Sequence, residues 1–206
     1  MDKIKIYKNS FTVVLGLNNS GKTALAKYIK SHYDKSIIVA RPKSINYKYN
    51  DLTDDLKLLV DKLRVRELYS YNFNTLSNGS KQVLYLIDVL NSDYDTIIIH
   101  NGISMVSPFK KEIILKYLKK QHKTIIELTS NKEDLIYSKH LTLIKDSEII
   151  YQGLTIKVLE SEKKFKQAGF ELPFMAQLSL KLKYYNLIDK PVLNMNTMVD
   201  DIWKSN

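Results

Sequence analysis

Gly16, Gly21, Lys22 and Thr23 fall at the spacing G-x-x-x-x-G-K-[ST], the arrangement in this chain whose residue types and order prescribe a chemistry. A phosphate is held by converging backbone N–H groups, and a loop wrapped around the N-terminus of a helix supplies them. Glycine lets the backbone approach closely, Lys22 brings charge to the β- and γ-phosphates, and the Thr23 hydroxyl is placed for Mg²⁺. Asn19 stands inside the loop, where asparagine tolerates a positive φ. The pattern implies a nucleotide site formed by Gly16, Asn18, Asn19, Ser20, Gly21, Lys22, Thr23 and Ala24, with Thr23 as the metal ligand.

Such a loop needs a strand before it and a helix after it. Phe11 to Leu15 is a short apolar, β-branched run that reads as a buried strand, and Thr23 to Ile29 has helical apolar spacing. Lys3 to Tyr7 alternates weakly and is predicted to be an edge strand. Ser36 to Ala40 is a second buried strand, stopped by Pro42, and Asn46 to Leu52 is a polar loop. Thr53 to Leu63 is predicted to be a helix capped by Thr53, followed by a loop over Tyr69 to Thr75. Ser77 to Leu90 is a helix with one broad apolar face, and Thr96 to Ile99 a strand. Ser107-Pro108 opens a helix to about Lys120, with proline near its first position. Thr124 to Leu128 is a strand, and His140 to Ile144 with Glu148 to Gln152 form a hairpin. Alternating strands and helices imply an α/β fold around a mostly parallel, covered sheet. After Gly153 the texture changes to three short helices: Val158 to Gln167, Pro173 to Tyr185 and Met195 to Trp203. The expected division is residues 1–152 as the nucleotide-binding domain and 153–206 as a C-terminal helical appendage.

Composition narrows the class. The 206 residues suit one domain of ordinary size, or one with a small appendage. No apolar run approaches a membrane span and no charged-then-apolar leader opens the chain, so a cytoplasmic location is expected. With no cysteine, disulfides, thiolate zinc and cysteine nucleophiles are excluded. The net charge of +10 invites a nucleic-acid partner. However, only Arg41, Arg64 and Arg66 are arginine, and the lysines are spread along the chain rather than gathered in a stripe. A solvated lysine coat is the better reading, so no nucleic acid is expected; a surface facing anionic headgroups is compatible.

Further landmarks follow the loop in the order of an ABC-type ATPase. Leu76-Ser77-Asn78-Gly79-Ser80-Lys81-Gln82 resembles that family's signature motif at the start of a helix. Asp95-Thr96-Ile97-Ile98-Ile99 resembles the Walker B strand, Ser104 to Pro108 lies at the D-loop, and Leu128 to Lys132 ends the strand where a switch histidine is expected. The tail, with Gly153-Leu154-Thr155, Ala168 to Ser179 and Lys190-Pro191-Val192-Leu193, is similar to the C-terminal region of energy-coupling-factor (ECF) transporter ATPases. The resemblance implies an ABC-type P-loop NTPase fold, with a helical subdomain reduced to about residues 45–90. It implies ATP and Mg²⁺ as cofactors. It also implies a second ATPase subunit, alike or different, a membrane T-subunit and a substrate-binding S-component as partners. Together these place the chain on the cytoplasmic face of a membrane, as part of an importer for a micronutrient.

The departures bear on the chemistry. His100 stands where the family places its Mg²⁺-binding Asp, Asn101 where it places the catalytic Glu, and Ser130 where it places the switch His. Val106-Ser107 replaces the D-loop Leu-Asp, and the Q-loop place after Val39 offers Arg41. The aromatic that stacks on adenine upstream of the loop is missing or replaced by Tyr7. Hydrolysis requires a firmly held metal and a group that positions or deprotonates water. His100 is a poor Mg²⁺ ligand and Asn101 cannot accept the proton. ATP binding with little turnover is therefore expected at this chain's own loop. The resemblance assigns Ser77, Asn78, Gly79 and Gln82 to a partner's site. Two other readings are His100 as a catalytic base and a soluble ABC-type regulatory or nucleic-acid-associated ATP-binding protein.

Overall fold

β-Branched runs become strands here and the 3.6-periodic stretches become helices, in a computed structural model that describes residues 4–40, 42 and 44–205. In chain order the elements are β1 (Phe11–Leu15), α1 (Lys22–His32), β2 (Ser36–Val39), α2 (Asp54–Leu63), α3 (Asn78–Asn91), β3 (Thr96–His100), α4 (Pro108–Leu118), β4 (Thr124–Thr129), β5 (His140–Lys145), β6 (Glu148–Leu154), α5 (Thr155–Leu159), α6 (Glu162–Gln167), α7 (Phe174–Tyr184) and α8 (Met195–Ser205). The chain forms two compact units. One comprises the residues up to Ile6, Thr12–Lys22 and the chain from Thr129 onward; the other comprises Tyr7–Phe11 and Thr23–Leu128.

In the second unit β2, β3 and β4 run parallel, with Ile97 opposite Ile37 on one side and Ile125 on the other. Ile97, Ile98, Ile99, Ile125 and Ile126 are all buried, as a strand covered on both faces requires. Helix α3 turns Val83, Leu84, Leu86 and Ile87 inward and packs against β2, while α2 packs against α3 and α4. Buried Asp88 ties down the chain before α2 by accepting N–H bonds from Asn46 and Tyr47 at 2.7 and 2.8 Å. Burial raises its carboxyl pKa, against the lowering effect of those bonds.

In the first unit β1 pairs parallel with β5, and β5 pairs antiparallel with β6 through a turn at Asp146 and Ser147, both at positive φ. Helix α5 packs on this hairpin. Ile188, Val192 and Met198 form a small core with Met175, Leu178, Leu182 and Ile202. The buried Ser179 hydroxyl closes it by accepting the Val192 N–H at 2.6 Å.

The parallel strands, the hairpin and the last two helices agree with the sequence expectation. The edge strand expected from Lys3 to Tyr7 does not form over residues 4–7, and Lys3 lies outside the described residues. The Gln152 carboxamide supplies the pairing instead, accepting the Lys5 N–H at 2.9 Å and donating to the Lys5 carbonyl. The helix expected over Val158 to Gln167 is two, α5 and α6. Ser161 (φ −119°, ψ 87°) breaks it, and its carbonyl accepts the Lys164 N–H of the next turn. Two of the expected loops contain 3-10 turns, at Tyr49–Asp51, and at Arg66–Ser70 and Phe73–Thr75. Thr53 does sit at the N-cap of α2, but its side chain makes no capping bond.

Candidate nucleotide site

The loop begins where β1 ends. The Gly16 N–H donates to the Thr129 carbonyl at 3.1 Å. A Cβ at Gly16 would lie 2.6 Å from Ile144 Cγ2 and 2.9 Å from its carbonyl oxygen, so only glycine fits. Asn19 takes φ +64°, the left-handed conformation expected of it, and Gly21 takes φ +98°. A side chain on Gly21 would meet Ser147 Oγ at 2.7 Å, and the Ser147 N–H donates to the Ser20 carbonyl at 3.0 Å. The β5–β6 turn therefore buttresses the loop. Ile144 and Ser147 carry no local sequence signal for this role, because it depends on β1 and β5 being neighbours.

Lys22 is buried, and its ammonium donates to the Gly16 and Leu17 carbonyls at 2.6 and 2.7 Å. An ammonium has three donors, so one remains for a phosphate oxygen. Burial lowers the Lys22 pKa, and an approaching anion opposes that shift. Asn18 and Asn19 are exposed. Ser20 is buried with its hydroxyl turned toward Gly16, and its N–H donates to the Leu17 carbonyl at 3.2 Å.

In the second unit Thr23 and Ala24 are exposed in the first turn of α1, which carries no acidic residue to oppose an anion. Thr23 Oγ1 lies 3.3 Å from His100 Nε2. His100 closes β3, half-buried, and Asn101 follows at φ +55°. The Asn101 carbonyl accepts from the Ser104 hydroxyl at 2.8 Å and from Gln82 Nε2 at 3.3 Å. A cleft of about 510 Å³ opens here, lined by Ala40, Asn78, Lys81, Gln82, His100 and Asn101 among others. The sequence-predicted residues His100, Asn101, Thr23, Asn78 and Gln82 are thus grouped in one unit. Arg41, at the Q-loop place, lies outside the described residues.

The signature residues have work within the chain. Ser77 is the exposed N-cap of α3, its hydroxyl accepting the Ser80 N–H at 3.2 Å. Gly79 packs on the turn after β3, where a Cβ would stand 2.5 Å from the Met105 carbonyl oxygen. Gln82, expected with Ser77, Asn78 and Gly79 at a partner's nucleotide, is only 8% exposed. Both ends of its carboxamide are bonded internally, to the Asn101 carbonyl and the Met105 N–H. Its spacing from Leu86 and Val89 puts it on the buried face of α3, a signal the sequence did carry. Ser130 is exposed just beyond β4 in the first unit, beside a Thr129–Asp134–Asn131 hydrogen-bond cluster.

The donor set does not suit Mg²⁺. Thr23 offers one hydroxyl, His100 a nitrogen, and Asn101 only neutral oxygens, an exposed carboxamide and a backbone carbonyl already bonded twice by side chains, so no anionic oxygen is at hand. Among the described residues no group of three or more His, Cys, Asp or Glu is placed to hold a metal ion.

A parallel α/β sheet with this loop between β1 and α1 is the fold of ABC-type nucleotide-binding domains. It matches the structure of cbiO1 from Clostridium perfringens, described as part of the ABC transporter complex cbiONQ. The TM-score is 0.59 at 15% identity, covering 85% of this chain and 89% of that one. In sequence the chain is similar to energy-coupling factor transporter ATP-binding proteins. It is 23% identical over 244 residues to EcfA of Malacoplasma penetrans, covering 97% of this chain and 85% of that protein. It is 31% identical over 134 residues to EcfA1 of Fusobacterium nucleatum, covering 63% of this chain and about half (48%) of that relative's length. No family model matches the chain. Among the described residues no helix is long and apolar enough to cross a membrane.

Proposed function

We propose that this chain is an ATP-binding subunit of an ECF-type importer for a micronutrient. Its own loop, residues 16–24, holds ATP with little hydrolysis, and Ser77, Asn78 and Gly79 complete the nucleotide site of a second ATPase subunit. The observation that carries this reading is the contrast between two parts of the molecule. The loop has its glycines, its positive-φ Asn19 and a buried Lys22 in place. The end of β3 presents His100 and Asn101, where hydrolysis needs carboxylates. The similarity to ECF transporter ATP-binding proteins supports the transporter role.

In this reading the partners are the second ATPase, in a heterodimer, together with a membrane T-subunit and an S-component that selects the cargo. The chain sits peripherally on the inner face of the cell membrane. Residues 1–152 form the nucleotide-binding domain, and residues 153–206 form an appendage for dimerisation or docking.

The test is to co-express the chain with the intact ATPase and T-subunit of the same genome and to measure ATP turnover by the complex. Ser77 is exposed, so Ser77→Arg places a bulky charge on a free surface. Gly79 is unsuitable, since any side chain there strikes Met105. The expected result is that Ser77→Arg silences the complex while Lys22→Ala only slows it. Wild-type turnover in the Ser77→Arg complex would refute the shared site.

A further inference from the structure

A nucleotide triphosphate normally arrives with Mg²⁺, held in sites of this kind by the loop hydroxyl and a carboxylate at the end of the facing strand. Mg²⁺ demands oxygen ligands in near-octahedral geometry and gives up its waters reluctantly, so a neutral imidazole nitrogen is a poor exchange for a carboxylate. In this chain the imidazole does more than fail to ligate. His100 Nε2 is 3.3 Å from Thr23 Oγ1, so it engages the one protein oxygen the ion would use.

The neighbouring positions do not repair the loss. Asn101 is exposed and its carboxamide can offer the ion only a neutral oxygen, while its backbone carbonyl is taken by Ser104 and Gln82. The acidic residue on the adjoining strand, Glu127, is paired in register with Ile99. Side chains alternate along a strand, so Glu127 faces the side of the sheet opposite His100. What does remain to meet phosphate charge lies in the loop and the start of α1: the Lys22 ammonium, the positive-φ backbone at Asn19 and Gly21, and a first helical turn without an acid.

We infer that this chain binds its nucleotide without coordinating a magnesium ion, the Thr23–His100 pair standing where the ion's protein ligands would be. The inference rests on the reading of residues 16–24 as a nucleotide site. The protein then gains no affinity from the ion, so free ATP and its magnesium complex bind about equally.

The experiment is calorimetric titration of ATP into the full chain in excess EDTA and in excess MgCl₂, for wild type and for His100→Asp. Wild type is expected to bind with dissociation constants that agree within about threefold between the two buffers, a difference under about 0.7 kcal/mol. His100→Asp, which restores an anionic oxygen ligand, is expected to bind about tenfold or more tighter in Mg²⁺ than in EDTA. Wild-type binding in Mg²⁺ that is lost in EDTA overturns the inference and leaves the nucleotide reading standing. Absence of binding in both buffers overturns both. The wild-type comparison decides by itself if His100→Asp does not fold.

Discussion

Replacing Gln82 by leucine removes the side chain that ties the start of α3 to the turn after β3. The carboxamide makes two hydrogen bonds, donating to the Asn101 carbonyl at 3.3 Å and accepting the Met105 N–H at 3.1 Å. Each such bond contributes about 0.5–1.5 kcal/mol net. One of the partners left behind moderates the cost. The Asn101 carbonyl keeps the Ser104 hydroxyl and N–H, whereas the Met105 N–H loses its side-chain partner. Leucine is of similar volume at a buried position and recovers part of the loss by apolar burial. The expected cost is about 1–2 kcal/mol, which at an m-value of about 2 kcal/mol/M moves a urea midpoint down by about 0.5–1 M.

Gln82→Glu separates the hydrogen bonds from mere packing. It keeps the acceptor for Met105 but sets a buried carboxylate against the Asn101 carbonyl, so its pKa rises. Between the ordinary glutamate value and that raised value the folded state holds the proton and the unfolded state does not. The variant therefore recovers stability as pH falls through the raised pKa and loses it as pH rises through it. A Gln82→Leu midpoint within about 0.1 M of wild type, with an unchanged m-value, would refute the bridge.

Two further predictions concern the first unit. Burial, with smaller contributions from Lys139 and Lys5, lowers the pKa of His140 from its ordinary 6.5. The unfolded chain thus takes up a proton first, and stability should be fully present above pH 6.5 and decline as pH falls from there through the lowered value. Thermal melts of His140→Gln should show a shallower acid decline than wild type, and parallel curves would contradict this. Gly21→Ala combines a φ of +98° with a Cβ 2.7 Å from Ser147 Oγ, so it should weaken ATP binding strongly. Unaltered affinity in a filter-retention assay would show that the loop geometry is not what the site depends on.

How much of this could be read in the sequence depended on whether the cause was local. The conformation of the loop over residues 16–22 was legible because glycine and asparagine act through their own backbone chemistry; Asn19 adopts the positive φ its type suggests. The buried strands were legible because both faces are covered and isoleucine runs on end. Lys3 to Tyr7 misled because alternation alone cannot say whether a partner strand exists, and the Gln152 side chain takes that place for Lys5. Ser161 interrupts a helix through one local hydrogen-bond choice that apolar spacing does not register. The contact of His100 with Thr23 and the supports from Ser147 and Met105 arise between segments far apart in sequence. No window of residues contains them.

The proposed role requires this chain to hold ATP and leave it intact. The most direct measurement mixes the purified chain with a slight excess of ATP labelled at the γ-phosphate, removes free nucleotide by rapid filtration, and assays retained label and released phosphate together over time. The expected result is close to one ATP retained per chain, with phosphate release far below the rate of about 1 s⁻¹ at the low end for competent phosphoryl-transfer enzymes. Retention should be lost in Lys22→Ala. No retention by the wild type, or release near that rate that disappears in Lys22→Ala, would rule out that role.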